Sequence, residues 1–137
     1  MSQRTSAAID ISWLVNEFVD QVAHIDQAVV LSNDGLPIAK SAGLAREDAE
    51  HLAAVAAGMH GLARGAGRRL HRGALRQAII EMEAGFIFVT AGGNGACIAV
   101  LATEDADIGL IAHDMELLVA RVGQHLSSPT RSAPTEQ

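Results

Sequence analysis

Apolar residues recur along the chain with two different periods, and these periods predict the order of its helices and strands. Apolar positions three and four residues apart predict helices over about residues 9–23, 46–70 and 106–126. Short β-prone apolar runs predict strands over about residues 28–31, 36–41, 76–83, 86–91 and 96–102. The order is therefore helix, two strands, helix, three strands and helix, in one domain over residues 9–126.

The two ends of the chain lack this periodicity. Residues 1–8 lead into no long apolar run, so we expect a flexible N terminus and no secretory signal. Residues 127–137 are rich in Ser, Thr and Pro, which is typical of a disordered C-terminal tail.

Turn residues between the strands predict an antiparallel sheet. Asn33-Asp34-Gly35 tolerate the positive φ of a tight turn, and Pro37 lacks an N–H donor, which places the second strand at a sheet edge. The glycine cluster at residues 92–95 leads into an apolar strand, so we interpret it as a hairpin turn rather than a phosphate-binding loop. Strands one, four and five are apolar on both faces, which predicts helices on both sides of the sheet and an α/β (α+β) fold.

The long middle helix is rich in small side chains. Each interior glycine costs roughly 1 kcal/mol of helix stability relative to alanine. Close approach of another backbone would offset that cost, and this backbone belongs either to the sheet of the same chain or to a second chain. The third strand alternates and reads as a half-exposed edge, which invites pairing with another chain. Together the helix and the strand suggest the seam of a homodimer.

A basic cluster marks the end of the same helix and the loop that follows. It holds half of all the Lys and Arg residues, namely Arg64, Arg68, Arg69, Arg72 and Arg76. These side chains complement the negative end of the helix dipole. They also suit a docking patch for an acidic partner, because Arg is favoured at interfaces. The two interpretations are compatible, and the sequence leaves both open.

Composition narrows the classes of partner. The net charge of −6 opposes general binding to nucleic acid or to anionic membranes, and the aromatic content of 3% supplies few platforms for base stacking. No apolar run approaches the roughly 20 residues that cross a bilayer. The single cysteine cannot form an internal disulfide, which fits a reducing compartment. We therefore expect a cytoplasmic protein.

The sequence offers no catalytic, cofactor-binding or metal-binding constellation. None of the six histidines stands four residues from another, and Cys97 lies inside an apolar strand, where a buried thiol is the ordinary interpretation. Glu81 and Glu83 share one strand face, which is commonly just a solvated face. We accordingly predict no catalytic residue, no metal and no cofactor.

The chain resembles the roadblock / dynein light chain domain family, and within it the short actinobacterial members that are associated with GTPases. The likeness runs from about Trp13 to Leu126. Each motif taken alone is weakly specific, but the order and spacing of the motifs together are fairly specific. The segments that carry it are residues 28–39 (AVVLSNDGLPIA), 52–58 (LAAVAAG), 81–90 (EMEAGFIFVT) and 95–101 (GACIAVL). Ala45 departs from the polar residue expected at the start of the long helix.

The resemblance implies a five-stranded antiparallel sheet of order 2-1-5-4-3, with the long helix on one face and two helices on the other. It also implies a homodimer joined through the long helix and the third strand, and it implies binding to a Ras-like small GTPase beside a sensor-kinase-like membrane protein. We place seven residues at the dimer interface: Ala53, Ala57, His60, Gly61, Arg64, Ile80 and Met82. Arg68, Arg69 and Arg72 are the predicted partner-docking residues.

Three hypotheses about function follow. The first is a non-enzymatic homodimeric adaptor that modulates the nucleotide cycle of the GTPase. The second is a small-ligand sensory module, which would need an internal pocket with convergent polar groups. The third is an enzyme, which the lack of a nucleophile–base pair or of metal-ligand spacing disfavours.

Overall fold

The predicted order of elements is confirmed by the computed structural model, which describes residues 2–92 and 95–132, with side chains from Ile11 onwards as far as Leu126. The elements are α1 (Ser2–Gln21), β1 (Ile25–Leu31), β2 (Pro37–Lys40), α2 (Arg46–Arg69), β3 (Gln77–Met82), β4 (Gly85–Ala91), β5 (Cys97–Thr103) and α3 (Ile108–Ser132).

The strands form one antiparallel sheet in the order β2-β1-β5-β4-β3, as the resemblance implied. In the β1–β2 turn the Ser32 amide donates to the Leu36 carbonyl over 2.9 Å, and Gly35 adopts a φ of +83°. Between β4 and β5 the Gly92 amide donates to the Ala96 carbonyl over 2.8 Å. The glycine cluster therefore joins two strands, as predicted, although residues 93 and 94 lie outside the described residues.

Two hydrophobic layers lie on opposite faces of the sheet. Ile98 and Val100 of β5 pack with α1 and α3, whereas the alternating neighbour Ala99 packs against α2. Both faces of β5 are thus buried, which explains why its sequence does not alternate. The α1–α3 layer is the larger one and includes Phe88, which is fully buried.

Both outer helices are longer than the sequence predicted. Helix α1 begins at Ser2 rather than near residue 9, and α3 ends at Ser132 rather than near residue 126. Once a helix is nucleated, each further residue adds a backbone hydrogen bond that roughly balances the entropy lost in ordering it, so composition alone marks such ends poorly. The predicted flexibility of residues 1–8 and disorder of residues 127–137 stay predictions, and Met1 and residues 133–137 lie outside the described residues.

The chain leaves α2 through a tight reversal. The Arg72 amide donates to the Gly67 carbonyl over 2.8 Å, and the His71 amide donates to the Arg68 carbonyl over 3.2 Å. These two bonds form a Schellman motif, whose penultimate position requires a left-handed backbone and usually holds glycine. Here His71 occupies it with a φ of 58°. The reversal directs the chain back into β3.

Candidate interaction surface

The two halves of α2 have different surroundings. In the first half Ala49, Leu52, Ala53 and Ala56 are buried against the sheet of the same chain. In the second half no residue is buried, and Leu62 is 80% exposed. Leu62 therefore lies on a helix half that this chain alone does not bury.

Three glycines lie on the second half of α2 without any contact that explains them. An ideal Cβ at Gly58, Gly61 or Gly65 would meet no heavy atom within 4 Å. Spacings of three and four residues place the three on one helix face. At Gly67, in contrast, a Cβ would overlap the carbonyl oxygen of Gly73. Packing within one chain therefore accounts for Gly67 and leaves the other three unexplained.

The two edges of the sheet differ in how well they are protected. Strand β2 has four residues and carries Pro37 and Lys40, two residue types that hinder the pairing of edge strands. Strand β3 has six residues and carries neither type. It has Ile80 half-buried and Met82 42% exposed. β3 is therefore the edge that is open to pairing.

The predicted dimer-interface residues divide into two groups. Ala53 is 0% exposed and packs against its own sheet, so its side chain is already covered within one chain, and its place at the interface stays a prediction. Ala57 packs against the same cluster and lies beside Gly35. The choice of these two rested on their small size, but they share the helix face of Leu52 and Ala56, and that face meets the sheet.

The other predicted interface residues remain accessible. His60 is half-buried, and Gly61 and Arg64 are exposed on the second half of α2. Ile80 and Met82 lie on β3. Sequence reasoning did not select Gly58, Gly65 or Leu62 for the interface, although the spacing of the two glycines from Gly61 was a usable signal.

All five arginines of the basic cluster are exposed at one end of α2 and in the following loop. The ion pairs within the described part of the chain are Arg46–Glu50 and Arg121–Glu17, so no cluster arginine there is paired with a carboxylate. The Arg72 guanidinium donates to the carbonyls of Leu70 and His71 over 3.3 and 3.2 Å. Arg72 thus satisfies carbonyl groups at the helix end. Within the described part of the chain the Arg68 and Arg69 side chains make no hydrogen bond or ion pair, and their guanidinium groups face solvent.

Polar and ionisable groups inside the domain are few and satisfied. Burial raises the pKa of the Cys97 thiol to about 11, so the thiolate nucleophile is disfavoured at neutral pH. Ser41 accepts from the Ala28 amide over 3.2 Å, and Gln77 donates to the Thr90 hydroxyl over 3.1 Å. Among the described residues no buried side-chain nitrogen or oxygen lacks a partner, and no three potential metal ligands cluster. In the described part of the chain, every buried side-chain nitrogen and oxygen is therefore already bonded within the domain.

No helix in the described part of the chain has both the length and the apolar character needed to cross a membrane.

Comparisons with known proteins agree with this architecture. Residues 11–102 match the family model described as Roadblock/LC7 domain. A Roadblock/LC7 domain structure from Streptomyces avermitilis is 39% identical, with a TM-score of 0.79 over 84% of this chain and 96% of that one. A second from the same organism is 42% identical, with a TM-score of 0.67 over 81% of this chain and 96% of that one.

MglB of Myxococcus xanthus shares the fold at 14% identity, with a TM-score of 0.72 over 91% of this chain and 90% of that one. Among curated proteins none matches the sequence significantly. The family match covers most of the domain, from the described part of α1 to the end of β5. The chain belongs to the Roadblock/LC7 domain family.

Proposed function

We propose that this protein is a non-enzymatic homodimeric adaptor that binds a Ras-like small GTPase and modulates its nucleotide cycle. The observation that carries the proposal is the combination of an open β3 edge with three glycines on α2 at which an added Cβ would meet no heavy atom of the described residues within 4 Å. A second copy would contact both features at once, because α2 leads through a short loop into β3.

In the proposed dimer the β3 strands of two copies pair and extend the sheet across the seam. The second halves of the two α2 helices then cover each other, with Gly61 and its glycine neighbours allowing close backbone approach. His60 and Arg64 flank this contact, and Ile80 and Met82 contribute the apolar surface of β3. Burying Leu62 and Met82 in this way would stabilise the dimer by about 1 kcal/mol or more for each side chain.

The GTPase enters the proposal through the family resemblance, and the basic cluster supplies the chemistry. Arg68 and Arg69 present free guanidinium groups, which suit carboxylates on an acidic partner. A dimer that prefers one nucleotide state of the GTPase shifts the population toward that state, and the shift is limited by its difference in affinity for the two states. The sensor-kinase-like membrane protein is a further proposed partner, and we place the complex at the cytoplasmic side.

The first experiment measures assembly and binding together. Purified protein is mixed with a Ras-like small GTPase of the same organism loaded with GDP or with a non-hydrolysable GTP analogue, and the masses of the complexes are determined by light scattering. We expect a dimer of this chain that binds one nucleotide form more tightly. A monomer at high concentration would refute the adaptor proposal.

The second experiment tests docking through the basic cluster. The double substitution of Arg68→Glu and Arg69→Glu should weaken GTPase binding on the order of tenfold, because two attractive contacts become repulsive. Arg72 is left intact because it satisfies carbonyls at the end of α2. The matched control is Arg46→Glu at the other end of the helix, which should leave the affinity unchanged. Equal affinity of the double variant and the wild type would remove the docking claim.

A further inference from the structure

A groove between α1 and α3 lies on the face of the sheet opposite α2, and therefore opposite the proposed seam and the basic cluster. Its volume is about 260 Å³. The floor is apolar and is formed by Leu14, Phe18 and Leu118, all of which are buried. This volume is below the roughly 300–1,000 Å³ of clefts that enclose small-molecule ligands, so the groove suits one or two side chains of a larger partner.

Exposed apolar side chains continue from the groove along α3. Leu117 lines the groove and is 55% exposed, and Leu110 lies seven residues earlier and is also more than half exposed. With Asp114 and Arg121, these two form one stripe on the outer face of the helix, since the four positions are spaced by three or four residues. Neither leucine contributes to the core of the domain. Their exposure is therefore not explained by the packing of this chain.

Carboxylates predominate on the two helices around the groove, although the charged residues that line it are Glu17, Asp114 and Arg121. The described side chains of α1, α3 and the loop before α3 include seven carboxylates: Glu17, Asp20, Glu104, Asp105, Asp107, Asp114 and Glu116. Arg121 is the sole Lys or Arg among those described side chains, and it lies 3.5 Å from Glu17. The opposite face carries the basic cluster. The molecule thus presents an acidic apolar groove on one side and a basic patch on the other.

We propose that the groove between α1 and α3 is a second docking site, which takes a basic amphipathic helix of a partner protein. Two neighbouring helices offer a furrow into which the side-chain ridge of a third helix packs. Apolar side chains of the partner would contact Leu117 and the groove floor, and a flanking Lys or Arg side chain would face Asp114, because Glu17 already pairs with Arg121. A second copy of this chain placed symmetrically would bring the same carboxylates face to face, which disfavours that occupant. An anionic membrane surface is disfavoured by the same charge.

The test uses a fluorescein-labelled synthetic peptide of repeated Leu-Lys-Lys-Leu-Leu-Lys-Leu heptads, with a scrambled peptide of the same composition as the control. Binding to the full-length protein is followed by fluorescence anisotropy. We expect saturable binding of the amphipathic peptide, weakened by added salt, and much weaker binding of the scrambled one. The chain has one tryptophan, Trp13, which is 60% exposed next to Leu14, so a label-free shift in its emission is a second readout.

Two pairs of variants locate the site. Asp114→Lys should weaken binding roughly 5- to 30-fold, whereas Glu47→Lys, with the same charge change on α2, should not. Leu117→Ala should weaken binding by a similar factor, whereas Leu36→Ala, which truncates an equally exposed leucine in the β1–β2 turn, should not.

Several results would overturn the proposal. Equal losses in both members of a pair would show general charge attraction rather than a site. The absence of saturable peptide binding would also exclude the proposed site. A change in the mass of the peptide-free protein caused by Asp114→Lys would show that another copy of this chain occupies the groove, with its basic cluster against these carboxylates.

Discussion

Replacing Gly61 by alanine should separate the stability of one chain from the association of two. Gly61 lies inside α2, and a methyl group there would meet no heavy atom of the same chain within 4 Å. Alanine is favoured over glycine in a helix interior by about 1 kcal/mol. For a domain of this size that gain raises the melting temperature by roughly 3–5 °C, if the helix face stays in solvent.

A second chain on this helix face reverses the expected effect of Gly61→Ala on stability. Each copy would carry the added methyl group into a contact between two helix backbones, and overpacking of this kind costs about 1–3 kcal/mol. The free energy lost by overpacking in the dimer equals or exceeds the free energy gained from the higher helix propensity of alanine. We therefore expect Gly61→Ala to raise the dimer dissociation constant by about tenfold or more while stabilising the dissociated chain.

Sedimentation velocity over a wide range of protein concentration measures the dissociation constant, and thermal unfolding at the same concentrations measures stability. The matched control is Gly67→Ala, in which the new methyl group overlaps the Gly73 carbonyl and destabilises the chain at every concentration. If Gly61→Ala raises the melting temperature equally at all concentrations and leaves the mass unchanged, no second chain covers this helix face and the reasoning is refuted.

Three further predictions concern the single chain. His71→Gly should stabilise the fold by about 0.5–1 kcal/mol in urea unfolding, because glycine adopts the φ of 58° without steric cost; a loss of stability would contradict the Schellman assignment. Phe88→Ala should cost about 3–5 kcal/mol since the side chain is fully buried, whereas Ile79→Ala on the neighbouring strand should cost about 1 kcal/mol or less; similar losses would disprove the assigned core. The free energy of unfolding should fall as the pH rises from 9 to 11, because the unfolded Cys97 thiol releases its proton near pH 9.0 and the folded one near 11. Cys97→Ala should remove this contribution. An unchanged slope of the free energy of unfolding against pH in that variant would contradict the effect of burial.

The sequence predicted the sheet well because its strands carry strong local signals. Strands β4 and β5 are continuous apolar runs between glycine turns, and Pro37 marks the β2 edge by its missing donor. The order of strands was not readable from such signals. It came from the resemblance to a family, since pairing between β1 and β5 joins segments that are far apart along the chain.

The helix face of α2 was harder to predict for a physical reason. Ala53, Ala54, Ala56 and Ala57 are nearly consecutive and almost equal in size and polarity, so no period stands out among them. In the structure Leu52 lies on the face that meets the sheet, and this places Ala53 inside and Ala54 outside. A small side chain indicates that another backbone can approach the helix closely, but it does not indicate which face of the helix that backbone meets.

The left-handed His71 was also beyond the reach of the sequence, because the histidine side chain does not mark a helix end as glycine does. The groove between α1 and α3 had a signal that remained unused. Leu110 and Leu117 lie off the apolar stripe that carries Ile111, Met115 and Leu118, and an apolar residue off the buried stripe of an amphipathic helix is exposed by geometry.

The position of the proposed seam determines which way the proposed groove faces in a dimer. A seam along β3 and the second half of α2 leaves the α1–α3 face of each copy directed away from the partner copy, so a dimer would present two acidic grooves and two basic patches. A partner that carried two basic helices could then engage both grooves, and the second contact would be strengthened by the high effective concentration after the first. The opposite charges of the two faces would direct each partner to a different surface. The groove would repel an acidic GTPase surface, and the basic patch would repel a basic helix. The proposed dimer and the proposed groove would together allow one adaptor to hold two partners of opposite charge without competition between them.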